Sequence, residues 1–372
     1  MAKRVVLCGG GSGGHIFPLI TVVKYLKKNY GENNFEFLFI GPKGEFDGKF
    51  MAENNIPSKN ILCGKLRRYF SLKYLVDFSK MPIGFLQSLW HLLIFMPDVI
   101  FSKGGFASVP VVLAAKIYRI PVVIHDSDSV PGIANKFLGS IADAVGINFE
   151  KAKRYFPNNK VFFAGIPIKE ESIGGSKNKA RELLGIKKEI KPVVLFLGGS
   201  QGASAINEVV IKSLKELTRK FQIIHQTGTN HFEEMKERAQ AKGYKIGHSD
   251  YYPLAFIGEE LGDILALADI VVSRAGATFI AELAANRKAT ILVPISRSAN
   301  DHQRMNAFEL SREKAAIVLE EGNFNQNMLI HYLDKIAFGR DYKMTLAQNI
   351  EKFYYPKSAE ILAEKIMEIS GN

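Results

Sequence analysis

The chain has 372 residues, of which 47% are hydrophobic and 23% charged, with a net charge of +12. That length exceeds one ordinary core and predicts two domains, and the composition excludes a low-complexity or fibrous chain. Cys8 and Cys63 are too few for a disulfide framework and predict reduced thiols, and residues 1–4 lead into an apolar strand pattern without a signal-like region.

The charge is uneven. Residues 1–170 carry 22 Lys+Arg against 12 Asp+Glu, whereas residues 171–372 carry 27 against 25. A basic half predicts an anionic partner there, either a phosphorylated substrate, nucleic acid or a membrane surface. A soluble surface rich in lysine is the competing account, and no recognised nucleic-acid motif accompanies the charge.

In chain order, a strand at 4–7 runs into Cys8-Gly9-Gly10-Gly11-Ser12-Gly13-Gly14-His15, followed by an amphipathic helix over 19–28. Glycines between a strand and a helix start let backbone N–H groups approach an anion closely. The loop has dinucleotide spacing at Gly9, Gly11 and Gly14, but the second strand, at 35–40, ends in Gly41-Pro42-Lys43 without the carboxylate that would hold a ribose. Further strands are predicted at 99–102, 121–124, 144–147 and 161–164.

Residues 61–96 interleave Lys65, Arg67, Arg68, Lys73 and Lys80 with Leu66, Tyr69, Phe70, Leu75, Phe78, Phe85, Leu86, Trp90, Leu93 and Phe95. Two readings stand: an apolar face bordered by cations on an anionic membrane, or a core helix with a basic solvent face. The Asp126-Ser127-Asp128 triplet spells a motif that can hold a divalent cation, yet no carboxylate cluster lies near it in sequence. We read it as a polar loop facing substrate, with no metal site.

Residues 168–191 read as a polar join, after which the pattern restarts. Strands are predicted at 192–197, 221–226, 270–272, 290–293 and 316–319, and a helix over 346–369. The loop Gly198-Gly199-Ser200-Gln201-Gly202-Ala203 repeats the phosphate-loop physics, and Ser273-Arg274-Ala275-Gly276-Ala277-Thr278 is a third turn from strand to helix, with Glu282 one turn inside. A carboxylate there can accept two sugar hydroxyls, and Asp301-His302-Gln303-Arg304-Met305-Asn306 is a further polar cluster able to recognise hydroxyls. Alternating strands and helices predict an α/β protein with parallel sheets in two similar units.

These stretches, with Gly104-Gly105-Phe106-Ala107-Ser108-Val109-Pro110 and Val130-Pro131-Gly132-Ile133-Ala134-Asn135-Lys136, occur in the order seen in a bacterial family which the chain resembles across nearly its whole length. It is the MurG family, which transfers N-acetylglucosamine to lipid-linked muramyl-pentapeptide in peptidoglycan synthesis. The resemblance implies the GT-B fold, two Rossmann-like domains with parallel sheets facing an interdomain cleft. It implies an acceptor domain over 1–168, joined by a C-terminal helix at about 350–372, and a UDP-sugar domain over 169–349. The reaction implied is inverting transfer from UDP-N-acetylglucosamine to the C4 hydroxyl of lipid I, without a cofactor, at the cytoplasmic face of the cell membrane as a peripheral protein. It leaves no role for nucleic acid and gives the 61–96 stretch an anionic membrane surface.

By the same resemblance, Ser200, Gln201, Gly202, Asn207, Ala275, Gly276 and Thr278 surround the nucleotide diphosphate, Phe256 and Ile257 the uracil, Glu282 the ribose, and His302 and Gln303 the transferred sugar. Gly11, Ser12, Gly13, Gly14, Gly104, Gly105, Asp128, Asn135 and Lys169 face the acceptor, and His15 is the leading base, with Asp126 behind it. The chain departs from the family at Asp126-Ser127-Asp128 (commonly Glu-Gln-Asn), at Phe106 (frequently Tyr), and at Ile166 and Lys169 (often Asn and Arg). A UDP-N-acetylglucosamine 2-epimerase, or a transferase of the same fold with a soluble acceptor, is the alternative. The missing carboxylate disfavours an NAD(P)-dependent dehydrogenase.

Overall fold

The structure is a computed structural model that describes residues 2–10, 13–64, 73–186, 191–199, 202–247, 249–296 and 301–371, with the backbone alone for 45, 46 and 73–79. Gly11, Ser12, Ser200, Gln201 and the basic-aromatic residues 65–72 therefore lie outside the described residues. The chain forms two compact units, one of 1–168 with 355–372 and one of 169–354.

The first unit is built on β1 (Lys3–Cys8), β2 (Phe35–Pro42), β3 (Ser58–Ile61), β4 (Val99–Ser102), β5 (Val122–Asp126), β6 (Ala144–Ile147) and β7 (Val161–Phe163). All pair in parallel in the order β3-β2-β1-β4-β5-β6-β7. The crossovers contain α1 (Gly13–Tyr30), α2 (Glu45–Glu53), α3 (Lys73–Phe95), α4 (Ser108–Ile117) and α5 (Ile133–Ile141). Helices on both faces explain why central strands such as Val5-Val6-Leu7 and Val122-Val123-Ile124 are continuously apolar and fully buried.

The second unit begins with α6 (Lys177–Leu184), then alternates β8 (Val193–Leu197), α7 (Ser204–Lys220), β9 (Gln222–Gln226), α8 (Phe232–Ala241), β10 (Tyr251–Leu254), α9 (Leu261–Leu267) and β11 (Ile270–Ser273). It continues through α10 (Ala277–Ala285), β12 (Ala289–Leu292), α11 (His302–Arg312), β13 (Ile317–Val318), α12 (Gln326–Phe338) and α13 (Arg340–Glu351). Its sheet order, β10-β9-β8-β11-β12-β13, is again parallel throughout and is the order of a dinucleotide-type α/β fold.

Three expectations change. The sequence pattern misses β3 and β10, both edge strands. Three of the four residues of β3 are exposed, and β10 contains Pro253, which an edge strand tolerates because one ladder N–H is dispensable there. The join predicted at 168–191 breaks only at Ile168. From Lys169 the chain is part of the second unit, where Ser176 accepts from Lys179 N at 3.4 Å to cap α6 and the Ser176 N–H donates to Asp263 at 2.6 Å. The predicted helix over 346–369 is two helices, since Pro356 separates α13 from α14 (Ser358–Ile369). The chain returns to the first unit at Tyr355, not near 350.

α14 lies on α1 and buries Leu362, Ala363 and Ile366 among Val5, Leu7, Ile16, Leu19, Val99, Phe101 and Val123. Tyr355 packs edge-on to Phe163 with ring centroids 4.5 Å apart. Each large apolar side chain removed from such a core costs about 2–5 kcal/mol. A chain ending at Tyr354 is therefore expected to lose the cooperative unfolding transition of the first unit in calorimetry while keeping that of the second. An unchanged first-unit transition would contradict the packing.

Candidate functional site

In an open parallel sheet, ligands bind outside the carboxyl ends of the strands, where the strand order reverses. In the first unit that point lies between β1 and β4, so the backbone leaving β1 at Gly9-Gly10 runs beside that leaving β4 at Lys103-Gly104-Gly105. The approach is close: a Cβ on Gly9 would lie 3.1 Å from Lys103 Cβ. At Gly104 (φ +78°) a Cβ would coincide with the Asn135 amide, so glycine is required for contact and for conformation alike.

Asn135, on α5, organises this corner. Its Oδ1 accepts from Gly105 N at 2.9 Å, and its Nδ2 donates to Asp126 Oδ2 at 2.6 Å. The other Asp126 oxygen accepts from Asp128 N at 2.9 Å. Asp126 is buried at the end of β5, and burial and the Asp128 carboxylate raise its pKa, against the hydrogen bond from Asn135 and the charge of Lys103. Each Asp126 oxygen thus accepts one hydrogen bond within this corner. Lys103 was not singled out from sequence. It is only 2% exposed, and its ammonium donates to the Ser127 hydroxyl. Burial lowers its pKa to about 8 against the pull of Asp126 and Asp128.

His15 stands in the first turn of α1, with Gly13 and Gly14 before it. Its Nδ1 lies 2.8 Å from Gly10 O, and a carbonyl can only accept, so Nδ1 carries the proton and Nε2 the lone pair. Burial, then the Lys103 charge, push its pKa below 6.5, while the Gly10 carbonyl and the Asp128 and Asp47 carboxylates oppose them. His15 is thus neutral at pH 7, with a basic nitrogen in the right tautomer to take a proton. Among the described residues no group of three His, Cys, Asp or Glu is arranged to hold a metal ion.

In the second unit the exits of β8, β11 and β12 are neighbours. Gly202 (φ +79°) stands where a Cβ would lie 2.2 Å from Thr227 O. Asn207, in the first turn of α7, is buried, and its amide donates to that same carbonyl at 3.0 Å. The β11 exit is fixed by an ion pair that sequence reading passed over: Arg274 Nη2 lies 2.6 Å from Glu321, and Arg274 Nη1 donates to Val293 O at 3.0 Å. Ala275 O accepts from Asn306 at 3.4 Å, and Gly276 precedes α10, which begins Ala277-Thr278.

Glu282 is one turn into α10 and 8% exposed, and burial raises its pKa to about 7 against the charge of Lys169 and the Ser172 hydroxyl, which donates at 3.4 Å. Lys169, expected on the acceptor side, is therefore a residue of the second unit acting on Glu282. Phe256, just past β10, is 39% exposed while Ile257 beside it is buried. His302 and Gln303 start α11, and the Gln303 Oε1 accepts from Ile295 N at 3.2 Å.

Residues 5–147 match the glycosyltransferase family 28 N-terminal domain, and residues 193–360 match its C-terminal domain. The UDP-N-acetylglucosamine–N-acetylmuramyl-(pentapeptide) pyrophosphoryl-undecaprenol N-acetylglucosamine transferase 2 of Bacillus thuringiensis subsp. konkukian is 37% identical over 92% of this chain and 94% of its own length. The transferase of that name from Clostridium perfringens strain SM101 is 38% identical, covering 91% of each chain. Among solved structures, Acinetobacter baumannii MurG superposes with a TM-score of 0.76 at 23% identity, over 98% of this chain and 99% of its own. UDP-GlcNAc 2-epimerase from Neisseria meningitidis superposes at 0.69 with 12% identity, over 99% and 100%, a likeness of fold alone. With both domains matched and relatives of this identity along nearly its full length, the chain belongs to glycosyltransferase family 28.

Proposed function

We infer that this protein transfers N-acetylglucosamine from UDP-N-acetylglucosamine to the muramyl sugar of a diphosphate-linked lipid, the reaction named for its relatives. The observation that carries the reading is the identity of 37% over 92% of the chain to a transferase of that name. The first unit adds a neutral His15 whose Nε2 carries a lone pair and has no hydrogen-bond partner among the described residues, beside glycine loops suited to an acceptor diphosphate. The epimerases, at 12% identity, share only the fold.

In this reaction the acceptor C4 oxygen attacks the anomeric carbon from the face opposite UDP, the bond from that carbon to the UDP oxygen breaks, and the configuration inverts to β. The hydroxyl proton passes to His15 Nε2, and the leaving diphosphate keeps the bond electrons. Gly202 and the starts of α7 and α10, together with Ser200, Gln201, Ala275, Gly276 and Thr278, supply N–H and hydroxyl groups where that negative charge develops. Phe256 and Ile257 take the uracil, Glu282 with Lys169 near it the ribose, and His302 and Gln303 the transferred sugar. Gly11 to Gly14, Gly104, Gly105 and Asp128 receive the acceptor, and Asn135 and Asp126 hold that corner in shape.

The same reading places the protein on the cytoplasmic face of a bacterial membrane. Of the five cations that frame the two readings of 61–96, Lys65, Arg67 and Arg68 lie outside the described residues and Lys73 is described by its backbone alone, so the apolar side of α3 supports the lipid-facing reading. α3 buries Ser88 and Leu92 against α4, and turns Ile83, Leu86, Trp90, Leu93 and Ile94 outward, with Leu86 and Trp90 more than 60% exposed. That spacing is one helical stripe, and an outward apolar stripe of this size is built to meet a lipid surface or another protein. Among the described residues no helix is long and apolar enough to cross a membrane.

Incubation with UDP-N-acetylglucosamine and a lipid I analogue is expected to give UDP and a β-1,4-linked lipid disaccharide, and hydrolysis or epimerisation without transfer would refute the reading. His15→Ala is expected to lower turnover at saturating substrates about 100-fold, as general-base loss does, and near-normal turnover would remove His15 from that role. The Leu86→Glu/Trp90→Glu variant is expected to stop co-sedimenting with anionic vesicles while still glycosylating a short-chain, water-soluble acceptor. Undiminished sedimentation would exclude α3 as the lipid contact.

A further inference from the structure

Behind Gly202 of the second unit runs a buried polar chain. Tyr251, His225, Thr227 and Asn207 are all at most 1% exposed. The register of β9 with β10 places Tyr251 opposite Ile223 and His225 two residues further on, so both rings lie on the sheet face covered by α7. Tyr251 OH lies 3.0 Å from His225 Nδ1, His225 Nε2 lies 2.9 Å from Asn207 Oδ1, and Asn207 Nδ2 lies 3.0 Å from Thr227 O.

Only one order of protons satisfies the chain. Thr227 O can only accept, so the asparagine turns its NH₂ to it and its oxygen to the ring. His225 Nε2 then carries the proton, and Nδ1 accepts from the tyrosine hydroxyl. Burial keeps His225 neutral, with its pKa lowered to about 3, so the order holds across the working pH range. Thr227 N donates to Leu254 O at 2.9 Å, which ties the end of the chain back to β10.

The last acceptor is the point of interest. Thr227 O is the atom that a Cβ on Gly202 would meet at 2.2 Å, and Gly198, at the other end of the loop, donates to the neighbouring Gln226 O at 3.3 Å. The loop thus rests on two consecutive carbonyls at the end of β9, one of them held by Asn207.

We propose that Tyr251, His225 and Asn207 are positioning residues that fix where Gly198 and Gly202, at the two ends of the glycine loop, sit on β9, and so set the affinity for the nucleotide diphosphate without touching it. This rests on the assignment of that loop to UDP-N-acetylglucosamine. It gives Asn207 a task beneath the loop in place of direct ligand contact, and brings in His225 and Tyr251, which carry no role otherwise.

The test is calorimetric titration of UDP into the full chain and into Tyr251→Phe, Asn207→Ala and the double variant, with melting temperatures measured alongside. Asn207→Ala leaves two buried groups unpaired and is expected to weaken UDP about 10-fold, and Tyr251→Phe about 3-fold. The double variant is expected to fall well short of the 30-fold product, because both substitutions break one chain. In turnover, KM for the UDP-sugar should rise while KM for the acceptor stays put. Tyr251→Phe removes only a hydroxyl and keeps the packing, so it remains informative if Asn207→Ala fails to fold. Folded variants with unchanged UDP affinity and a lowered melting temperature alone would overturn the proposal and leave the transferase reading standing. A wild-type chain that does not bind UDP would overturn both.

Discussion

The parallel pairing of β1 with β4 governs the first unit. It brings two chain exits so close that the residues there must be glycine or must point away. Packed backbone leaves N–H and C=O groups where side chains would otherwise stand, and these set the chemistry. Gly10 O fixes the tautomer of His15, and Gly105 N fixes Asn135, which in turn fixes Asp126. In the second unit the close approach lies between the exits of β8 and β9, with Gly202 seated on Thr227 O.

Charge is arranged with equal economy. Lys103 is a buried cation among Asp126, Asp128 and His15. It keeps His15 short of protonation and offsets the mutual repulsion of the two carboxylates. This bears on the departure from the family at Asp126-Ser127-Asp128. The extra carboxylate has a buried ammonium in its field, and Ser127 supplies the hydroxyl that holds that ammonium. In the second unit Lys169 has a comparable relation to Glu282, lowering the pKa that burial raises.

Much of this was legible in the sequence, for a physical reason. Central strands such as 99–102 and 144–147 are buried on both faces and announce themselves as apolar runs, and the glycine turns announce themselves because nothing else fits. What escaped depends on neighbours distant in sequence. β3 and β10 are edge strands, stabilised by pairing on one side, so their own residues carry a weak signal. α6 was hidden in a polar stretch because it packs on α9, about 80 residues later. Lys103 read as one lysine among many, and the bonds of the Asn207 amide to Thr227 O and His225 depend on neighbours about 20 residues away. The 61–96 stretch gave its composition but not its orientation. Only α3 in place shows that the outward stripe is apolar.

Burial and the charge of Lys103 keep His15 neutral, and the pH dependence of kcat/KM reads this directly. In the proposed base role His15 must be unprotonated, and its pKa is lowered, so the acid limb is expected to have its midpoint below 6.5. Lys103→Met removes the positive charge while keeping the bulk, which raises the pKa values of His15 and Asp126 alike and moves that midpoint upward. An acid limb above 6.5 in the wild type, or one that Lys103→Met leaves in place, would contradict the account.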